Sequence, residues 1–203
     1  MSKVGILGGT FNPIHNGHLY LADIAYKQLN LDKVLIMPTG VSYLKASQDV
    51  LPSELRSEMV KLAIKDYSYF EFSDIEIKRE GNTYTCDTLN ELNTKYPNNT
   101  YYFITGADTL FNIEYWKNPD QILKSCILSV IARDNMDIND MRLKANELTE
   151  RFGAVIKIID CEKMDISSTL IRNYAANAQY DDIANMLPNE VLKYIIDNSL
   201  YKR

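Results

Sequence analysis

Lys3 to Tyr20 reads KVGILGGTFNPIHNGHLY, and this stretch decides the fold. The apolar run from Val4 to Leu7 predicts a buried strand, which the Gly8-Gly9 pair ends. A helical pattern begins at about Gly17. In a unit of strand, glycine turn, loop and helix, the backbone can approach a phosphate closely, and the helix start offers unpaired N–H groups. The stretch therefore predicts a nucleotide site above the turn.

His15 and His18 are the only two histidines of the chain. Because they stand three residues apart at a helix start, they lie on one face, and Gly17 is expected to leave room for a ligand between them. Two imidazoles in front of a helix N-terminus can donate hydrogen bonds to a phosphoryl group. A surface pair of histidines fits the same spacing. A zinc site is disfavoured, because no further histidine or suitably spaced cysteine supplies ligands.

Composition narrows the class of protein. The 203 residues suffice for one sizeable domain, and a net charge of −5 disfavours nucleic acid or an anionic membrane as a partner. No apolar run approaches the roughly 20 residues of a membrane span. The chain begins directly with a strand, so we expect no signal peptide. Cys86, Cys126 and Cys161 are odd in number and widely spaced, which predicts reduced thiols in a cytoplasmic protein.

Strand and helix patterns alternate along the whole chain. The predicted strands are Lys3–Leu7, Val34–Met37, Phe70–Lys78, Tyr101–Thr105, Ile127–Ala132 and Val155–Ile159. The predicted helices are Gly17–Asn30, Pro52–Lys65, Thr85–Tyr96 with Thr85 as N-cap, two short ones around Trp116, Asp137–Phe152, and three short segments from Ser167 onward. Residues 41–49 are expected to form an irregular, mobile loop.

This alternation predicts an α/β fold, with a Rossmann-like doubly wound, mainly parallel sheet and a helical C-terminal end. Because no repeat or linker interrupts the pattern, we expect a single domain over residues 1–203. Residues 1–165 would form its core and residues 166–203 its helical segment.

Ligands of such folds bind beyond the carboxyl ends of the strands. Five candidate segments fall at that edge: Gly8–His18, the loop after Met37, Tyr84-Thr85, Gly106–Trp116 and Arg133. Trp116 is the only tryptophan, in a polar, loop-like setting, and its ring suits a heteroaromatic base. A tryptophan that closes the edge of the core fits the sequence equally well.

A second anion site is predicted near the C-terminal end. Ser167 or Ser168 can cap a helix start and present N–H groups to an anion. Arg172 follows Ser168 by four residues, one turn along the same face, where it can reach a phosphate. An ordinary capped helix with a solvated arginine is the alternative.

Gly8–His18 resembles the first signature of the HxGH nucleotidylyltransferase superfamily, and Ile166–Arg172 looks like its second signature, Ile-Ser-Ser-Thr-x-x-Arg. Within that superfamily the chain resembles the nicotinate-nucleotide adenylyltransferases. The supporting segments are Pro38-Thr39-Gly40, Arg56-x-x-Met59, Tyr84-Thr85-x-Asp87-Thr88-Leu89, Gly106-Ala107-Asp108 and Trp116. Two departures stand out: the family usually has Asp at the position of Asn12, and Pro-Pro-His-Lys at Ser42-Tyr43-Leu44-Lys45.

The resemblance implies an enzyme of NAD biosynthesis that transfers the adenylyl group of ATP to nicotinate mononucleotide, giving deamido-NAD and pyrophosphate. Nicotinamide mononucleotide or phosphopantetheine as acceptor, and a nucleotide-binding module without turnover, stay open as alternatives. Mg²⁺ is expected to bind mainly through the ATP phosphates, with no protein metal site. The implied partners are the two substrates, without nucleic acid or membrane, and a homo-oligomer is left open.

The implied site residues fall into three groups. His18 and His15 would be catalytic. ATP would be bound by these two and by Gly8, Gly9, Thr10, Phe11, Lys45, Gly106, Asp108, Ser167, Ser168 and Arg172. The pyridine nucleotide would be bound by Tyr84, Thr85, Trp116 and Arg133.

Overall fold

A computed structural model describes residues 1–42, 50–132, 137–162 and 164–202 of the chain. Its strands are β1 (Lys3–Gly9), β2 (Lys33–Pro38), β3 (Val41–Ser42), β4 (Phe70–Phe72), β5 (Asn82–Thr83), β6 (Thr100–Gly106), β7 (Ile127–Ala132) and β8 (Val155–Asp160). Six of them form one sheet in the order β4-β2-β1-β6-β7-β8, and β3 pairs with β5. All these strand pairs are parallel, so the predicted fold class is confirmed.

The helices are α1 (Asn16–Leu29), α2 (Ser53–Ile64), α3 (Thr85–Lys95), α4 (Ala107–Asn112), α5 (Pro119–Ser125), α6 (Ile138–Phe152), α7 (Ser168–Ala176) and α8 (Asn189–Asp197). Two 3₁₀ helices span Ile113–Tyr115 and Asp181–Met186. In the described part of the chain, no helix combines the length and apolarity needed to cross a bilayer.

Two apolar clusters cover the two faces of the sheet. Helices α1, α2, α7 and α8 pack on one face, and α3, α4, α5 and α6 pack on the other. Successive strand residues face opposite sides, so Ile6 lies in the second cluster while Leu7 lies in the first. Because the C-terminal helices share the first cluster with α1, their packing fixes the segment after residue 165 against the start of the chain.

The segment after Phe72 differs from its prediction as a strand to Lys78. The last sheet contact is the bond from the N–H of Ser73 to the carbonyl of Ile36 at 3.1 Å. The backbone then turns, and the N–H of Lys78 donates to the carbonyl of Asp74 at 3.0 Å. Ile75 still packs against the second cluster, so the apolar alternation reflects burial of a turn rather than a strand.

Two other boundaries differ. The N-cap of α3 is Tyr84, and Thr85 is the first helical residue instead of the predicted cap. Val41-Ser42, predicted as loop, forms β3, and the remainder of that predicted loop, residues 43–49, lies outside the described residues. Neither change moves a strand of the central sheet.

The three cysteines form no disulfide and lie in different settings: Cys86 and Cys126 are buried, and Cys161 is partly exposed. Burial raises the pKa of Cys126 to about 12 and also raises the pKa of Cys86. A pKa near 12 instead of about 8.5 lowers the thiolate fraction about 3000-fold near neutral pH.

We therefore expect a thiol reagent to label Cys161 at least about 100-fold faster than Cys86 or Cys126 in the native protein near pH 7. Peptide mass spectrometry after timed labelling measures this difference. In denaturant all three should react at similar rates. Fast native labelling of Cys126 would show that its side of the sheet opens readily.

Candidate active site

A cleft of about 680 Å³ opens beyond the carboxyl ends of β1 and β6. The strand order reverses direction at this pair, which is where ligands of doubly wound sheets bind. Apart from Tyr84, the predicted site residues that the structure describes all line the cleft: Gly8, Gly9, Thr10, Phe11, His15, His18, Thr85, Gly106, Asp108, Trp116, Ser167, Ser168 and Arg172. Lys45 and Arg133 lie outside the described residues.

The turn after β1 is tightly built. A Cβ atom on Gly9 would lie 2.8 Å from the Phe11 ring, so only glycine fits beside that ring. Phe11 is 2% exposed and adopts a left-handed backbone with φ of 47°, which is uncommon for an aromatic residue. Its ring meets the His18 ring edge-on, with the centroids 5.0 Å apart. The turn thereby supports the side of the His18 imidazole.

The two histidines contact each other. Their ring centroids lie 3.7 Å apart with an interplanar angle of 30°, so no ligand fits between them. The space predicted beside Gly17 is filled instead by the His15 ring, since a Cβ there would lie 3.0 Å from Nδ1 of His15. The predicted gap between the histidines was wrong, because the spacing of three residues let both rings stack on one face.

One hydrogen bond fixes the tautomer that His18 has when neutral. Its Nδ1 accepts from the backbone N–H of His15 at 3.3 Å. A neutral imidazole whose Nδ1 accepts carries its proton on Nε2. His18 is partly exposed in the cleft, so the Nε2–H is the donor that it can offer to an anion.

The second signature, Ile166–Arg172, directly contacts the first, Gly8–His18; the two are called the two motifs below. Ser167 is the N-cap of α7, and its side chain accepts from the N–H of Leu170 at 3.1 Å. The hydroxyl of Ser168 donates to the carbonyl of Pro13 at 2.8 Å. Nη1 of Arg172 donates to the carbonyl of Asn12 at 2.9 Å. Two segments separated by more than 150 residues thus form one wall of the cleft.

Arg172 uses only some of its N–H donors for hydrogen bonds within the protein. Besides the bond to Asn12, Nη2 donates to the hydroxyl of Thr169 at 3.2 Å. A guanidinium has five N–H donors, so these two bonds leave donors for an anion. The predicted phosphate contact and a structural contact can therefore coexist at this side chain.

An aromatic ring and a helix start also line the cleft. Trp116 ends the 3₁₀ helix Ile113–Tyr115 and is partly exposed, with its ring edge-on to Phe103 at 6.3 Å. Thr85 begins α3 and faces the same cleft. Tyr84 does not line it, and its ring lies 4.1 Å from Nζ of Lys117. A flat ring and a helix N-terminus together suit an aromatic anion.

A family model described as cytidylyltransferase-like matches residues 6–174. Relatives named "Probable nicotinate-nucleotide adenylyltransferase" align over almost the whole chain. The one from Lachnoclostridium phytofermentans is 40% identical and covers 99% of this chain and 100% of the relative. The one from Dehalococcoides mccartyi strain CBDB1 is 42% identical and covers 99% and 98%. The chain belongs to the nicotinate-nucleotide adenylyltransferase family.

Solved structures agree on the fold. Plasmodium falciparum nicotinic acid mononucleotide adenylyltransferase complexed with APC has a TM-score of 0.80 at 21% identity, over 99% of this chain and 98% of that one. The same protein complexed with NaAD gives 0.80 at 23% identity, with the same coverage. These structures confirm the fold, and the relatives about 40% identical over the full chain confirm the predicted family.

One carboxyl group that lines the cleft was not predicted from the sequence. Glu76 is 8% exposed and lines the cleft, where Oε1 accepts from the hydroxyl of Thr88 at 2.9 Å. Burial raises the pKa of Glu76 above its ordinary value. Arg79 donates to the same hydroxyl at 2.8 Å. No local signal marked Glu76, because its segment was interpreted as a strand on the basis of its apolar residues.

Among the described residues, no three His, Cys, Asp or Glu side chains come together as a metal site. Asp108, exposed at the start of α4, is a carboxylate that faces the cleft. A cleft with so few carboxylates is compatible with a divalent ion that keeps water and phosphate oxygens as its main ligands. The extent of protein ligation stays a prediction.

Proposed function

We propose that this protein transfers the adenylyl group of ATP to nicotinate mononucleotide, giving deamido-NAD and pyrophosphate in NAD biosynthesis. The observation that carries this proposal is the direct contact of the two motifs on one wall of the cleft, with Trp116 and the start of α3 also lining it. The names of relatives about 40% identical over the full chain support the same reaction.

The chemistry needs no protein nucleophile. An oxygen of the mononucleotide 5′-phosphate attacks the α-phosphorus of ATP in line. The bond from that phosphorus to the bridging oxygen breaks, and the electron pair leaves with pyrophosphate. Positioning of the two phosphates and neutralisation of their charge then supply the catalysis.

The triphosphate would lie between the two motifs. The Nε2–H of His18 would donate to the α-phosphate, where negative charge is redistributed in the transition state. His15 and the backbone from Gly8 to Phe11 would surround the phosphates from the β1 side. Arg172 and the N–H groups at the start of α7 would hold the β- and γ-phosphates as they depart. Lys45 is proposed to add a further cation.

The acceptor would occupy the opposite end. Trp116 would stack on the pyridine ring, and Thr85 with the positive end of α3 would take the nicotinate carboxylate. Tyr84 and Arg133 are proposed on this side, and Gly106 and Asp108 near the nucleotide ribose. A helix N-terminus favours a carboxylate over a neutral amide, so nicotinate mononucleotide is preferred to nicotinamide mononucleotide.

Three further parts complete the proposal. Mg²⁺, held mainly through the ATP phosphates, would neutralise phosphate charge. The enzyme is proposed to act in the cytoplasm, as a single domain over residues 1–203. A homo-oligomer stays open and can be tested by sedimentation.

Pyrophosphate release with ATP and each of three acceptors tests the function. We expect turnover with nicotinate mononucleotide and a kcat/KM at least about 10-fold lower with nicotinamide mononucleotide, because charge-assisted hydrogen bonds are about twice as strong as neutral ones. Phosphopantetheine should give no release above the rate with ATP alone. Preference for either of the other acceptors would reassign the substrate, and binding of ATP without release would identify a non-catalytic module.

A further inference from the structure

A buried cation ties three backbone segments together behind the phosphate turn. Arg56 in α2 is 3% exposed. It donates to the carbonyls of Thr10 at 2.7 Å, Thr39 at 2.9 Å and Leu51 at 2.9 Å. Burial lowers the pKa of Arg56, yet an arginine stays charged at neutral pH. One guanidinium therefore holds the turn after β1, the end of β2 and the segment before α2 in a fixed relation.

A tyrosine near the C-terminal end contacts the same turn. Asn12 is 5% exposed, and its Oδ1 accepts from the hydroxyl of Tyr201 at 3.0 Å and from the N–H of Leu51 at 3.3 Å. The donor and the acceptor of the first bond are 189 residues apart in the chain. The turn is thus held by one side chain from α2 and one from the C-terminal end of the chain.

The backbone at Tyr201 indicates that this contact is specific. Its φ is 64°, in the left-handed region that a bulky residue rarely adopts. Such a conformation persists where surrounding contacts hold it. Burial raises the pKa of Tyr201 although Arg172 and Arg56 act in the opposite direction. The phenol therefore stays protonated at neutral pH and acts as a donor to Asn12.

We propose that Tyr201 and Arg56 are positioning residues for adenylyl transfer, which hold the backbone of Thr10–Asn12 in the shape that receives the triphosphate. Neither side chain lines the cleft, whereas Thr10 and Asn12 do. Both residues therefore act through the turn rather than on the substrate. This inference rests on the proposed function, because it assigns the turn to ATP rather than to the acceptor.

The chain offers a matched control for removal of the Tyr201 hydroxyl. Tyr180 also has a buried hydroxyl, but that oxygen has no hydrogen-bond partner among the described residues. Tyr201→Phe and Tyr180→Phe delete the same atom from two partly buried tyrosines. Only the first deletion takes a donor from Asn12.

We expect Tyr201→Phe to lower kcat/KM for ATP about 10-fold. Loss of one partner of a buried hydrogen bond typically changes the corresponding equilibrium constant by about 10-fold. KM for nicotinate mononucleotide should stay within about 2-fold of wild type, since its end of the cleft is held by other elements. Tyr180→Phe should stay within about 2-fold in every parameter. Arg56→Lys, which keeps the charge but loses the fork of donors, should exceed the Tyr201→Phe effect.

Two measurements separate positioning from loss of folded protein. The Kd of a non-hydrolysable ATP analogue, measured by calorimetry far below the melting temperature, should rise about 5- to 10-fold in Tyr201→Phe. On an Asn12→Ala background the same substitution should add less than about 2-fold, because the acceptor is already absent. Equal Kd values for Tyr201→Phe and wild type, or a full additional effect on Asn12→Ala, would overturn the proposal.

Failure of the proposed function and failure of the positioning role would give different results. If the wild type releases no pyrophosphate with any acceptor, adenylyl transfer is wrong, and the analogue Kd still decides the role of Tyr201. If the wild type is active and Tyr201→Phe matches it in both Kd and kcat/KM, the positioning role alone is wrong.

Discussion

Alanine in place of His18 is expected to lower kcat by about 100-fold or more while the protein stays folded. The Nε2–H of His18 is oriented by the bond from the His15 backbone N–H to Nδ1 and by the edge contact with Phe11. A preorganised donor of this kind typically contributes about 3 kcal/mol to the transition state. Steady-state kinetics with both substrates measure the loss of kcat, and circular dichroism of the variant shows whether the fold is retained.

Asn16 provides the control for this substitution. It lies in the same first turn of α1 but does not line the cleft, and its side chain donates to the carbonyl of Asn185 at 3.0 Å. Asn16→Ala perturbs the same turn, and we expect kcat to stay within about 2-fold of wild type. A His18→Ala enzyme with near-normal turnover would remove His18 from the mechanism.

Alanine in place of Trp116 is expected to raise KM for nicotinate mononucleotide about 30-fold, with KM for ATP unchanged within about 2-fold. Stacking of a base on an aromatic side chain contributes about 1–3 kcal/mol. The ring is partly exposed and lines the cleft, where we propose that it contacts the acceptor rather than ATP. Initial-rate measurements with each substrate varied in turn give both KM values.

Trp116→Phe is the matched variant, because it keeps a flat ring in contact with Phe103. It should recover most of the affinity that the alanine variant loses. Trp116 is also the only tryptophan, so its fluorescence should change when the pyridine nucleotide binds. Equal changes in both KM values for Trp116→Ala would instead assign the ring to support of the core.

The main part of the fold could be predicted because the strands are buried apolar runs between recognisable turns. Val4–Leu7 and Ile127–Ala132 carry this signal without any long-range information. Parallel strands bring their carboxyl ends to one edge, so segments far apart in the chain could be expected to meet there. The convergence of Gly8, Thr85 and Ser167 on one cleft follows from that rule.

Local patterns were less informative where tertiary contacts decide the conformation. The alternation from Phe70 to Lys78 matched a strand, but burial of Ile75 in a turn produces the same apolar positions. The spacing of His15 and His18 gave a shared face, but only the structure shows that their rings stack and exclude a ligand.

The contacts around Asn12 could not be predicted from local sequence patterns either. Arg56 lies 46 residues from Thr10, and Tyr201 lies 189 residues from Asn12. Neither pair has a spacing that a helix or strand period would mark. The helix pattern placed Arg56 correctly within α2. Its burial, however, depends on three carbonyls that the chain brings together only when the sheet forms.

A crystal structure with a non-hydrolysable ATP analogue and nicotinate mononucleotide tests the central claim most directly. The account predicts that the α-phosphate lies about 3 Å from Nε2 of His18 and that the β- or γ-phosphate of the same nucleotide contacts Arg172 or the start of α7. The pyridine ring should lie on Trp116. A triphosphate bound away from either motif, or contacted by His18 but by nothing at the start of α7, would contradict it.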